Sequence, residues 1–439
     1  MRKLLIAALI SAPLSIVAQV NYALDSEWSA STQWRVNPAN FSEEKVFLYL
    51  PVLGGYNLGL GHTGFSANDA VDGNQVNIGA TISGLDRENH FLLDFSTELL
   101  ALGYRTEKVQ FRAGALQQFE YRTTYTKDFL EMIWLGNGHP DLIGNRISLD
   151  NTGVNALGYL KAYAGASVSI IPNKLSLGLN ANIYRGAATV QTLESNFGLT
   201  TSASDYTITA DGSLNISTSG INDLDSLNAE SFLNDLAFSN KGIGADFGLI
   251  FNPSPKHEVK LSVLNAGNIN WESNLRNYRI QNSEISFSGF DIQNIIGVND
   301  TTDVIQNFID SIAESFTPEE YEESFRTHLN PEFVASLGFM PSEKTRISAM
   351  FRSKNSFGTR INQTGLIYSR RFGRTLELSA GGVFFNLDDL IIPAGLLCNF
   401  GPFQLGVQTT NLLAAIVPNK SKYASVSFSL GLRFAKFNE

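Results

Sequence analysis

The sequence predicts an all-β fold: a closed antiparallel transmembrane β-barrel of about 14 strands, within a range of roughly 12–16, with an N-terminal plug-like segment and short helices in external loops. Three observations predict it. The chain opens with an export signal and has no later apolar run that would form a membrane-spanning helix. Long stretches alternate apolar and polar residues with a period of two. The connections between those stretches are alternately short and long.

The export signal comes first. Met1, Arg2 and Lys3 precede an apolar run from Leu4 to Val17 that ends at Ala18-Gln19. A charged start, a short apolar middle and a small residue at the end make residues 1–18 a secretory signal peptide, cut after Ala18. The run is shorter than the about 20 residues that a bilayer-spanning helix needs. No cysteine lies near the cut, so no lipid anchor is indicated. The expected destination is the outer membrane of a Gram-negative cell.

Residues 19–45, with Trp28 and Trp34, read as an irregular segment that enters the barrel as a plug; the barrel itself takes residues 46–439. Val46–Leu60 is strand-like, and three strands are expected near 75–84, 88–104 and 109–126. Long external loops are expected at 127–157, 186–241 and 266–332. Within the first, Phe129 to Leu135 reads as a helix capping the loop side.

Eleven further strands fit between 158 and 434. In the last, Ala424, Val426, Phe428, Leu430, Leu432 and Phe434 form one row, the lipid-facing one, opposite Tyr423, Ser425, Ser427, Ser429, Gly431 and Arg433. The same alternation runs through 160–170, 175–183, 242–251 and 403–408. Spanning strands need about 9–11 residues, whereas strands of soluble proteins average about 5–6, so the length of these rows favours a membrane. Counting back from the C-terminus, the tight turns at Gly401-Pro402, Gly373-Arg374, Pro341-Ser342-Glu343, Pro253-Ser254-Pro255 and Pro172-Asn173 fall on one side. The long connections near 353–361, 266–332 and 186–241 fall on the other, as in outer-membrane barrels.

The loops carry their own signals. Val304, Ile305, Phe308, Ile309, Ile312 and Phe316 recur at helical spacing. Thr317-Pro318-Glu319-Glu320 then has the cap, proline and acidic residue of a second helix start. Residues 196–240, rich in Ser, Thr, Asn, Asp and Gly, suit an exposed hairpin or loop.

Composition excludes several function classes. Of 439 residues, 43% are hydrophobic, too few for a helical membrane protein but ordinary for a barrel, in which every second strand residue faces lipid. A formal net charge of -10 argues against nucleic-acid binding. The single cysteine, Cys398, rules out an internal disulfide and reads as a packed strand residue. His62, His90, His139, His257 and His328 form no close metal pair, and neither a GxSxG elbow nor a phosphate loop is present. Asn222, Asp223 and Asp225 lack the full calcium-loop pattern, and Asp388-Asp389 reads as a turn. The chain is therefore not expected to be an enzyme, and no catalytic residue, metal or cofactor is expected.

Several segments resemble a known family. Asn37-Pro38-Ala39 is similar to a motif near the N-terminus of FadL-like barrels, the long-chain fatty-acid transporter superfamily. Leu135-Gly136-Asn137-Gly138, Asn155 to Tyr159, Asn173 to Gly178, Gly242 to Gly248 and Leu264 to Trp271 follow in an order that resembles the Bacteroidota outer-membrane family catalogued as domain of unknown function 5723. Leu264-Asn265-Ala266-Gly267 departs from the Asp-Leu-Gly expected there, and Lys436 stands where a terminal aromatic is usual. The resemblance implies a FadL-related barrel of unassigned substrate and carries over no functional residue set.

Two functions follow as expectations. One is passage of small hydrophobic molecules, with a plug and an apolar pocket in the lumen. The other is a non-catalytic, membrane-embedded partner in a surface or secretion complex. The expected partners are outer-membrane lipid and either a small hydrophobic ligand or other envelope proteins.

Overall fold

The computed structural model describes residues 33–49, 55–64, 66, 71–72, 75–76, 78–221, 240–287, 317–386, 389–416 and 421–436. Fourteen antiparallel strands close into one barrel. The wall runs β1 (Glu44–Tyr49 and Tyr56–His62), β2 (Glu88–Arg105), β3 (Val109–Thr126), β4 (Gly153–Ile171), β5 (Leu175–Thr201), β6 (Lys241–Ser254) and β7 (His257–Trp271). It continues through β8 (Glu332–Ser342), β9 (Thr345–Ser356), β10 (Thr359–Phe372), β11 (Leu376–Phe385), β12 (Ala394–Phe400), β13 (Phe403–Thr409) and β14 (Tyr423–Lys436). Each strand pairs with its neighbours, and β14 pairs back onto both pieces of β1, so the ring has no free edge.

The alternation read from the sequence is the alternation of the wall. Along the turn-bearing end, Tyr104, Phe111, Phe251, Phe372, Phe400 and Phe434 are exposed on the outside. Phe91, Phe333, Phe351 and Phe384 form the opposite aromatic fringe. The eight residue steps from Val426 to Phe434 rise roughly 20–25 Å along a tilted strand, close to the height of a lipid belt. Most inward positions are small, polar or charged, with buried apolar clusters at some levels of the interior.

The strand near 75–84 is a correction. Only Gln75–Val76 pairs, with Val71–Asp72, and Ile78–Ser83 is helix α1. Ile78 and Ile82 are four apart, a spacing that serves a helix as well as a strand. The missing wall strand is the strand-like 46–60 stretch, in two pieces. Tyr49 pairs with Ala101 and Tyr56 with Thr97, so β1 spends seven steps where β2 spends four.

Three loop expectations also change. The connection near 353–361 is a two-residue turn, Phe357-Gly358, with φ of 46° and 90°. Its polar flanks are strand residues, paired from Lys354↔Ile361 to Ser356↔Thr359. Thr317-Pro318-Glu319-Glu320 starts no helix: Glu319–Tyr321 is a short strand against Asn277–Phe287, held there by Arg276, which donates to Glu320 at 2.8 and 2.9 Å. The described part of the 186–241 insert is largely sheet. β5 continues to Thr201 and turns into a strand at Ile208–Ser219, which pairs in turn with Asn277–Phe287.

The helix at 129–135 is present as α2 (Lys127–Leu135). The Thr126 hydroxyl accepts from the Phe129 amide at its start, and Gly136 ends it at positive φ. A third short helix, α3 (Leu412–Ile416), joins β13 to β14. The expected signal peptide, Trp28, the helix expected at 304–316, Asn222, Asp223, Asp225 and Asp388 lie outside the described residues.

Candidate functional site

A chain segment that crosses the inside of a barrel belongs to no sheet, so its backbone polar groups need partners from the wall. Residues 33–43 form such a segment, entered by a tight helical turn at Gln33–Arg35. The Asn37 amide donates to the carbonyls of Leu249 and Leu261, at 3.2 and 2.9 Å, on β6 and β7. Its oxygen accepts from the Ala39 amide at 2.9 Å. Arg112 on β3 donates to the Pro38 carbonyl at 2.7 Å, and Ser262 on β7 to that of Val36 at 2.6 Å. Ser167 on β4 donates to Pro38 and Asn40.

Two glycines permit this contact. A Cβ on Gly178 would lie 2.0 Å from the Pro38 oxygen, and one on Gly248 would lie 2.2 Å from Asn37 Oδ1. Any side chain at either position would push the segment off the wall.

Beside the segment lies a cavity of about 200 Å³ whose wall is charged. Lys161 on β4 pairs with Asp246 on β6 at 2.9 Å and reaches Asn265 at 3.2 Å. Asp246 also accepts from Asn180 at 3.2 Å and from the Asn265 amide at 2.8 Å. That last bond exists because β7 bulges between Val263 and Ala266, with Asn265 at φ 55°, which turns the amide inward. Lys354 on β9 bridges Asp94 at 3.3 Å and Glu120 at 3.2 Å. Arg352 pairs with Glu332, and Asn330 donates to Glu120. Arg35, from the lumen segment, pairs with Glu98 at 2.6 Å, and Glu98 accepts from the Tyr163 hydroxyl at 2.7 Å. Trp34 packs on the Tyr163 ring with centroids 4.8 Å apart.

An isolated charge buried here would cost several kcal/mol, which explains why each of these carboxylates meets a cation. The apolar lumen pocket expected for a hydrophobic-molecule channel is thus corrected: the cavity is walled by ion-paired side chains with the aromatic rings of Trp34, Tyr159 and Tyr163 among them. Apolar clusters fill other parts of the interior, one around Trp271, Tyr184 and Ile269, another around Val383, Ile367 and Phe385.

The segments quoted from the sequence meet here. Asn37, Pro38 and Ala39 lie against Gly178 of one and Gly248 of the next, and Asn180, Asp246, Leu264 and Asn265 of the same segments line the cavity beside them. Val426, Phe428 and Phe434 point outward and are exposed, while Leu430 and Leu432 are partly covered. Sequence reasoning did not single out Arg112, Lys161, Glu98, Glu120 or Lys354. Their signal was a charge in the middle of an inward row, a position that a water-filled lumen would also tolerate. Among the described residues no group of three or more His, Cys, Asp or Glu could hold a metal ion. His62 and His90 are neighbours on paired strands, bonded to Tyr125 and Thr124 respectively, while His257 bonds Ser254 at a tight turn.

Outside the wall, Glu320 is held below its ordinary carboxylate range by its hydrogen bonds to Arg276.

The fold and site define a closed transmembrane barrel whose lumen holds the chain's own N-terminal segment next to an ion-paired chamber. The chain belongs to the family of unknown function DUF5723, which it matches over residues 38–409. Similar solved structures include the Ralstonia pickettii toluene transporter TbuX, with 10% identity over 96% of this chain and 95% of that one and a TM-score of 0.45. The P. putida toluene transporter TodX is 11% identical over 96% of each chain, with a TM-score of 0.44. A Pseudomonas aeruginosa FadL homologue is 9% identical over 97% of this chain and 100% of that one, with a TM-score of 0.45. No curated protein matches the sequence.

Proposed function

We propose that the protein passes small, uncharged, mainly hydrophobic molecules across the outer membrane of a Bacteroidota cell, with the segment before Glu44 acting as its plug. In this reading the chain is exported on a signal peptide cut after Ala18 and is not an enzyme. The observation that carries the proposal is the lumen segment itself, which borders the cavity through Trp34, Arg35 and Val36 and is held by about a dozen polar contacts of the kind that individually contribute ~1 kcal/mol. Such contacts are numerous enough to hold a plug and weak enough to exchange. Each of the chamber's four cations is held by at least one of its five carboxylates, so its wall offers no unpaired cation to an anionic solute, and its aromatic rings suit a neutral one.

A second reading, a membrane-embedded partner of other envelope proteins, is favoured by the strands that continue past the lipid belt. Residues 186–201 of β5 extend roughly 50 Å along their path, with Ile208–Ser219 and Asn277–Phe287 beside them.

The test uses the full barrel reconstituted in bilayers. A small neutral aromatic such as ethylbenzene is expected to quench tryptophan emission saturably, and Trp34→Phe to remove the response. Asn37→Ala is expected to raise ion conductance several-fold by loosening the segment. Absence of both effects, together with a stoichiometric envelope protein in the purified material, would replace the first reading by the second.

A further inference from the structure

Where the wall leaves the lipid belt, the outer surface of β8 to β11 carries an open depression of about 700 Å³. Phe333 and Phe351 form its lower side. The next positions up the strands are polar. Ser353 stands opposite Phe333, and Thr364 lies between Phe351 and Phe384. Asn362 stands opposite Ser353, and Arg360 lies one outward step higher, opposite Asn355. Asn386 closes the far side, its oxygen taken by the Asn362 amide at 2.9 Å.

The order along each strand matters. On β10 the outward row runs Phe372, Arg370, Tyr368, Leu366, Thr364, Asn362, Arg360. The twelve residue steps from Phe372 to Arg360 climb roughly 30 Å along a tilted strand, which places the guanidinium just above a hydrocarbon belt of about 25 Å. Arg360 is exposed and makes no ion pair with any described residue. By contrast, Arg326, exposed on the same half of the wall, already donates to Asn270 at 2.8 Å. An outward arginine at headgroup depth, over a floor of aromatic rings and beside hydroxyl and amide groups, has the chemistry that binds a phosphate whose apolar remainder lies below it.

We infer that this depression binds the phosphate-bearing headgroup of one membrane lipid, with Arg360 as its main contact and the lipid chains running down over Phe333 and Phe351. A lipid is the occupant, rather than a soluble anion, because the depression is continuous with the lipid-facing belt: its aromatic floor is part of the upper aromatic fringe. The inference rests on the barrel spanning a membrane, not on what passes through its lumen.

Native mass spectrometry of the detergent-solubilised full chain tests it, with dimyristoyl phosphatidylglycerol and dimyristoyl phosphatidylcholine as probes. The unaltered protein is expected to retain one phosphatidylglycerol in preference to phosphatidylcholine. Arg360→Gln should lower that retention about fivefold, the loss expected for one arginine at a membrane surface. Arg360→Lys should keep part of it, and Arg326→Gln should leave it unchanged. Thr364→Phe fills the depression without removing the charge and should also abolish the preference. Heat-modifiable gel mobility identifies the folded fraction of each variant. Equal retention of the two lipids by the unaltered protein, unchanged retention in folded Arg360→Gln, or an equal loss in Arg326→Gln would overturn the inference.

Discussion

At the residue scale, Asp246 ties three strands of the lumen wall together. It joins Lys161 of β4, Asn180 of β5 and the bulged amide of Asn265 on β7. Removing its charge leaves the Lys161 ammonium buried with an amide for company. Asp246→Asn is expected to destabilise the barrel by about 3–5 kcal/mol in urea unfolding of the refolded protein, as for other broken buried pairs. The double variant Lys161→Met with Asp246→Leu should recover most of that loss, since it removes both desolvated charges. A double variant no more stable than the single one would mean that Asp246 acts through the Asn265 bulge instead. Asp246 was visible in the sequence as a lone acid among Gly242 to Gly248, but its partner was not. Lys161 lies 85 residues away, and only the strand register brings the two together.

At the scale of elements, the external strands depend on pairs that water can reach. Glu320 has its ordinary value of 4.5 lowered by Arg276, so the pair stabilises the folded state above that value and the contribution disappears as pH falls below it. Amides of Asn277 to Arg279, which pair with Glu319–Tyr321, are therefore expected to exchange faster at pH 3 than at pH 6, and Glu320→Gln should exchange fast at both. Equal rates in the unaltered protein would separate this strand pair from the ion pair. The lumen segment depends instead on buried bonds. Asn37→Ala removes two donors to wall carbonyls and should lower stability by about 2 kcal/mol in the same urea assay. Elements differed in how readable they were. Long rows such as 160–170 and 424–434 have only one period that fits. Ile78 to Ser83 fits two periods, and Ser353 to Ser356 looked like a loop because strands that rise out of the lipid turn polar on both faces. Glu319-Glu320 carried a helix-start pattern that pairing with Asn277–Phe287 overrode.

At the scale of the whole molecule, stability comes from closing the ring inside hydrocarbon. Leu337, on the outer face of β8, is 61% exposed between Phe333 and Phe339. Leu337→Arg should cost about 2–4 kcal/mol and lower the folded yield in vesicles, whereas the same change at an external position such as Leu193 should cost little. Similar yields for both would mean that the apolar row does not face lipid. The ring was legible because its chemistry repeats: short turns and long loops alternate, and so do outward and inward rows. The chamber was not, because its ion pairs come from strands that are distant in sequence, and a charge on an inward row does not reveal whether it meets water or a counter-ion.

The seam of the ring has one further consequence. Ser42 still belongs to the interior, its amide bonded to Gln110 at 2.6 Å, while Glu44 is already wall, tied to Arg433 of the last strand at 2.8 Å. Glu43 alone separates them, and it is clasped by Arg371 at 2.8 Å. The inner tether and the hem of the ring are therefore a single thread with almost no slack: a sideways swing of the first strand tugs on the tether, and a tether pulled loose slackens the stitch that joins the chain's two ends.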